Sequence, residues 1–221
     1  MVPLPTDIIN RAQWILNDDT GEHFDSAQLW EFFNDAQREI ALQVPEASAV
    51  KSTLTTTGES PGLVTGVEQD IPSTSHFLID VPCNTAGGVI ERVERTWLDK
   101  HLPGWRTVTG STTIRSYCYN PKEGRRRFQV FPAVASGASI ECITSAMPED
   151  SSFEDNIFHV DVVYANVSMD YVLFRALNRL VGNPTFMSRA QGHLQSFFIG
   201  CGKSAQSPLL LENPELNLKE G

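Results

Sequence analysis

Asp35, Arg38 and Glu39 lie within five residues of one another in the stretch LWEFFNDAQREIALQVPEA, residues 29–47. Asp35 and Glu39 are four apart and share a face if the stretch is helical, with Arg38 beside them. Two carboxylates so placed are the raw material of general acid–base chemistry, provided their surroundings drive their pKa values apart in a cleft. Leu29, Phe33, Ala36, Ile40 and Val44, however, step by four, three, four and four, which assigns the buried stripe to another face. The three charges therefore belong on the outer side of an amphipathic helix, where an ion-pairing role against a neighbouring subunit fits better than catalysis.

Other chemistry is equally hard to assemble. His23, His76, His101, His159 and His193 show no HxH, HxxxH or HExxH spacing, so no local metal site is written into them. The chain contains no GxSxG. The Gly pair in NTAGGVIE fits neither GxGxxG nor GxxxxGK[ST] and reads as a turn between strands. Cys83, Cys118, Cys142 and Cys201 are far apart, without CxxC, and read as reduced, mostly buried thiols. No catalytic residue, metal or cofactor is expected. Arg125-Arg126-Arg127 is the single basic run, suited to phosphate backbone or an acidic protein neighbour, or else the solvated end of a hairpin.

The elements that would carry these residues fall into three blocks. Asp7 or Thr6 can cap a helix to about Asn17. Asp25 or Ser26 can cap a second, which Pro45 ends. Short runs rich in Thr, Val, Ile and aromatics follow, among them KSTLTTTGE, SHFLIDVPC, GGVIERVERTWL and RRRFQVFPA, punctuated by Gly and Pro. They predict five to seven antiparallel strands, with Tyr119 and Phe128 flanking a hairpin loop. From His159 to about Leu180 two apolar stripes share one helix, so it must be packed on two sides. Phe186, Ala190, Leu194, Phe197 and Cys201 give a fourth helix. The expected fold is α+β: a four-helix bundle-like domain from residues 1–50 plus 148–202, an inserted antiparallel β domain (sandwich or small barrel) over 51–147, and an extended C-terminal tail, 203–221. In that tail Leu209, Leu210, Leu211, Leu216 and Leu218 are costly to leave in water, at about 1.5–3 kcal/mol per fully buried side chain, so docking onto its own domain or another chain is expected.

Charge and composition narrow the function. The 221 residues carry a formal net charge of -10, concentrated at the ends. Residues 1–50 hold nine acids against two bases, residues 51–147 nine against ten, and residues 148–221 nine against five. Sequence-specific DNA binding leans on basic surface and is disfavoured. No apolar run reaches the roughly 20 residues of a membrane helix, and the start lacks a basic-then-apolar signal pattern, so cytoplasmic synthesis is expected. By elimination the chain reads as a binding or structural module.

Seven pieces in order, RAQWILND, LWEFFNDAQREIALQVPEA, EQDIP, VIERVERTWLDKHLPGW, FQVFPAVASGASIECITSAMPE, YANVSMDYVLFRAL and AQGHLQSFFIGCG, resemble the head-to-tail adaptor proteins of short-tailed phages, the tail tubular protein A-like family. The resemblance implies a virion structural protein at the head–tail junction, assembled in the host cytoplasm. It implies a homo-oligomeric ring, commonly of twelve copies, between the portal protein and a tail tube or nozzle protein. Double-stranded DNA would pass through the lumen without sequence-specific binding. An acidic conduit suits such passage because it repels phosphates. On this reading Asp35, Arg38 and Glu39 are ring-interface candidates, Arg125, Arg126 and Arg127 a lumen or partner-contact loop, and the tail leucines a portal- or neighbour-docking segment. The alternative is a virion-associated glycan-binding or glycan-hydrolysing protein, in which Asp70/Asp80 or Glu91/Glu94 converge with Trp97 and Trp105 around a groove.

Overall fold

A computed structural model describes residues 2–18, 20–56, 62–180 and 184–203. It divides into two compact units, one built from Met1–Ala47 and the chain from Pro148 onward, the other from Ser48–Met147. The class is α+β, with five α-helices and two sheets among the described residues.

In the helical unit, α1 (Pro5–Leu16) begins with proline at its first position, where no intrahelical N–H is needed. Asp7 does not cap it from outside as expected. It sits inside the first turn and accepts the Leu4 main-chain N–H at 2.8 Å. The following turn is built on Asp18, which is only 3% exposed and accepts the N–H groups of His23 and Phe24. Burial alone would raise its pKa, but those main-chain donors outweigh it and hold the carboxyl below its ordinary value. Asp25 then caps α2 (Ser26–Gln43), accepting from the Ala27 N–H. All four central stripe residues, Leu29, Phe33, Ala36 and Ile40, are fully buried.

The next helix starts later than its periodicity predicts. Asp161 accepts the Val163 N–H and opens a single 3₁₀ turn, Val162–Tyr164, before α4 (Ala165–Arg179). Helix α4 packs against α1, α2 and α5 (Pro184–Gly200), as its two apolar stripes require. Two apolar clusters organise these helices. One joins α1, α2 and α4 around Ile8, Phe33 and Val172, and the other gathers Ile40, Val160, Phe197 and Cys201. Close approach of α4 and α5 depends on Gly200, where a Cβ would lie 2.6 Å from Val167 Cγ2.

The β unit contains β1 (Ala49–Thr55), β2 (Gly66–Asp70), β3 (Ser75–Asp80), β4 (Glu91–Arg92), β5 (Ser116–Cys118), β6 (Arg127–Val134) and β7 (Ser139–Ala146). They form a three-stranded sheet, β1-β7-β3, and a four-stranded sheet, β2-β6-β5-β4. Both sheets contribute to one core that includes Leu54, Leu78, Tyr117, Phe128, Val130 and Ile140. The sheets do not close, so the barrel option is corrected to two separate sheets over a shared core. Two further corrections concern GGVIERVERTWL. Only Glu91–Arg92 of it is strand, and that strand runs parallel to β5. The remainder begins α3 (Arg95–His101), because Leu98 and Trp105 together bury against Cys118 on the outer face of the four-stranded sheet. Asp99 locks this cap, accepting from Trp105 Nε1 at 2.8 Å and Arg106 at 2.6 Å. The Arg106 guanidinium, and then the indole N–H, hold its carboxyl below the ordinary range.

Candidate functional site

Helix α2 presents Asp35, Arg38 and Glu39 half-exposed, as the stripe predicts. Their partners are both local and distant. Asp35 is shared by Arg38 at 3.2 Å and by Arg175 of α4 at 3.1 Å. Arg38 also bonds Asp150, while Glu39 accepts from Gln43 Nε2 at 2.8 Å. Arg175 lies over the rings of Phe32 and Tyr171, 5.4 and 5.9 Å from their centroids. The result is a ladder of alternating sign, Asp150–Arg38–Asp35–Arg175, which ties α2 to α4 and to the segment that precedes it. Each carboxylate of the ladder faces a permanent cation. Both carboxylates are thereby engaged in ion pairs within the chain.

Beside the ladder lies a polar network that the apolar stripe conceals. Asn34 and Gln37, 9% and 0% exposed, are amides on the core side of α2. Asn34 treats Ser151 as a strand partner would, donating to its carbonyl at 3.0 Å and accepting its N–H at 2.9 Å. Gln37 donates to Ser151 Oγ at 3.0 Å and accepts the His159 N–H at 2.7 Å. Ser151 Oγ in turn donates to the Ile157 carbonyl. These bonds fix the segment 150–159 to α2. Sequence reasoning missed them, although Asn34 and Gln37 flank Phe33 and Ala36 at helical spacing and so mark a buried face wider than one stripe.

In the β unit a cleft of about 790 Å³ opens on the outer face of the four-stranded sheet. Its floor follows the register Glu68–Gln129–Cys118 across three strands. Arg92, Arg95, Tyr119, Glu123 and Arg127 line its walls. Arg95 pairs with Glu123 at 2.5 Å, and Arg92 lies 6.0 Å from the Tyr119 ring centre. Tyr119 OH donates to the Arg125 carbonyl at 2.8 Å and closes the hairpin loop. Arg125, Arg126 and Arg127 are all exposed on that loop. Arg127 pairs with Asp70 at 3.3 Å, and Arg126 reaches the Pro72 carbonyl at 3.4 Å. Of the three only Arg127 lines the cleft, while Arg125 and Arg126 stand exposed beside it, so they are not a uniform basic strip.

Among the described residues no group of three or more His, Cys, Asp or Glu side chains is placed to hold a metal ion. All four cysteines are free. Burial pushes Cys118 and Cys201 up to about 11 and Cys142 up to about 12, leaving them protonated at neutral pH and poor nucleophiles. Cys83 donates to Glu141 at 3.1 Å, and that bond, more than burial, raises its pKa as well. The tail leucines Leu209, Leu210, Leu211, Leu216 and Leu218 lie outside the described residues.

A family model described as SU10 adaptor protein matches residues 6–206. The chain belongs to the SU10 adaptor protein family. The match spans both units and agrees with the resemblance to phage head-to-tail adaptors. No curated protein matches the sequence.

For this SU10 adaptor family member the glycan alternative finds no support in the geometry. Trp105 is 1% exposed and its indole N–H is taken by Asp99, so it offers no face to a sugar. Trp97 stacks on His101 with ring centres 4.7 Å apart. Asp80 accepts from Tyr117 OH at 2.7 Å, and Asp70 is paired with Arg127. Asp80 is thus engaged inside the fold and Asp70 in a surface ion pair. Among the described residues no helix of the adaptor is long and apolar enough to cross a membrane.

Proposed function

We propose that the chain is the head-to-tail adaptor of a short-tailed phage, a non-catalytic virion protein that forms a ring between the portal and the tail tube or nozzle. The observation that carries this reading is the family match over residues 6–206. Twelve copies, matching the usual symmetry of such rings, would surround double-stranded DNA. The net charge of -10 favours sliding over gripping of the duplex. The helical domain (1–50 plus 148–202, bundle-like) and the β domain (51–147) would be the two building blocks of each subunit. Asp35, Arg38 and Glu39 would face the next copy, Arg125–Arg127 a partner or the lumen, and the leucines of the 203–221 tail the portal or a neighbour.

The decisive experiment is electron microscopy of the purified protein mixed with its portal, together with mass spectrometry of purified virions. Rings capping the portal, and the protein in finished particles, are expected. Absence from virions would make it an assembly factor instead. Deleting residues 204–221 is expected to leave a folded protein that no longer docks on portal-bearing heads. Normal completion of heads by the truncated chain would remove the tail from the docking machinery.

A further inference from the structure

Each unit carries a charged surface that, among the described residues, side chains compensate only in part, and the two surfaces are opposite in sign. In the helical unit the segment 149–155 exposes Glu149, Asp150, Glu154 and Asp155 around Phe153, which is 73% exposed. Ser151, buried in its middle and bonded by Asn34 and Gln37, holds the segment in place and turns Phe153 outward. Asp150 bonds Arg38, but among the described residues Glu149 and Glu154 form no ion pair. In the β unit the hairpin loop exposes Lys122, Arg125 and Arg126. None of the three pairs with a carboxylate among the described residues. The cleft beside them is lined by Arg92, Arg95 and Arg127 but also by Glu68, Glu94 and Glu123, so the basic excess lies on the loop itself. An exposed aromatic ring flanked by acids matches a basic hairpin loop beside a cleft that offers guanidinium groups.

We propose that these surfaces bind each other between copies. The acidic segment 149–155 of one chain, anchored by Phe153, docks on the hairpin loop and cleft of the next. The two patches are different, so the contact is heterologous and propagates in one direction around a ring. The proposal rests on the ring reading above and gives it an interface.

The test uses the full chain and sedimentation velocity across protein and salt concentrations. Variant one carries Glu149→Lys and Glu154→Lys. Variant two carries Arg125→Glu and Arg126→Glu. Each alone is expected to assemble at least tenfold more weakly than the unmodified chain, with unchanged circular dichroism and thermal midpoint. Phe153→Ala is expected to do the same. An equimolar mixture of variants one and two is expected to recover assembly, because the unmodified acidic segment then meets the unmodified basic hairpin, and the lysine-substituted segment meets the glutamate-substituted hairpin. Assembly of either variant alone at the unmodified level overturns the interface and leaves the ring reading intact. So does a mixture that stays dissociated, or a variant two that assembles normally but fails to hold the tail protein. An unmodified chain that stays monomeric, alone and with its portal, overturns the ring reading itself.

Discussion

Replacing Gln37 with leucine is expected to lower the stability of the helical unit by about 2–4 kcal/mol, because buried groups left unpaired cost about 1–3 kcal/mol each. Leucine approximates the volume of glutamine, so little cavity or overpacking obscures the result. What disappears is the acceptor for the His159 N–H and the donor to Ser151 Oγ, at a side chain that is 0% exposed. Ser151 keeps its bond to the Ile157 carbonyl, which limits the damage to one side of the network. Gln43→Leu is the control. It sits on the same helix and loses only a partly exposed bond to Glu39, so a change within about 0.5 kcal/mol is expected. Urea unfolding of both variants gives the comparison. Equal effects would mean that the buried amides are incidental to holding the 150–159 segment. Because that segment carries Phe153 and the acidic cluster, the Gln37→Leu protein should also assemble less well even where it remains folded.

What was legible in the sequence depended on whether the relevant partners are local. The stripe on α2 and the two stripes on α4 are written at helical spacing, and the burial of Leu29, Phe33, Leu173 and Leu177 follows them. Tyr164, Val167, Tyr171 and Phe174 are only partly buried, and Val172 is buried outside both stripes. The hairpin between β5 and β6 was legible from its Asn-Pro and Gly, and it is closed by Tyr119 across six residues. Helix α3 was not. Its seven residues are too few to establish a period, and the flanking Val89, Ile90 and Val93 resemble strand until Leu98 and Trp105 are seen to cap one sheet. Parallel pairing of β4 with β5 and the division into two sheets are likewise decided by tertiary packing. The charged residues show the same limit most clearly. Asp35 and Arg38 are adjacent in the helix, but Asp150 and Arg175, which complete the ladder, lie more than 100 residues away. No local pattern announces such partners.

Inverting one charge in that ladder is expected to damage assembly more than folding. Arg38→Glu would set a third carboxylate between Asp35 and Asp150, while Arg175 continues to hold Asp35 from the other side. The side chains are about a third exposed, at 38% for Arg38 and 36% for Asp35, so water screens the repulsion. Partly exposed pairs contribute about 0–1 kcal/mol each, and losing two of them while adding like charges should cost about 1–2 kcal/mol. A domain stabilised by roughly 5–15 kcal/mol remains folded after such a loss. Assembly is more sensitive. Released from Arg38, Asp150 no longer fixes the start of the 149–155 segment, and the helix face proposed to meet the neighbouring copy changes sign. Arg38→Met separates the two effects, since it removes the ion pairs, keeps an apolar stem and adds no repulsion. The expected order of oligomer content at 25 °C is unmodified, then Arg38→Met, then Arg38→Glu, with all three chains folded by circular dichroism. An Arg38→Glu chain that assembles like the unmodified one would make the ladder a purely internal strut and remove α2 from the ring interface.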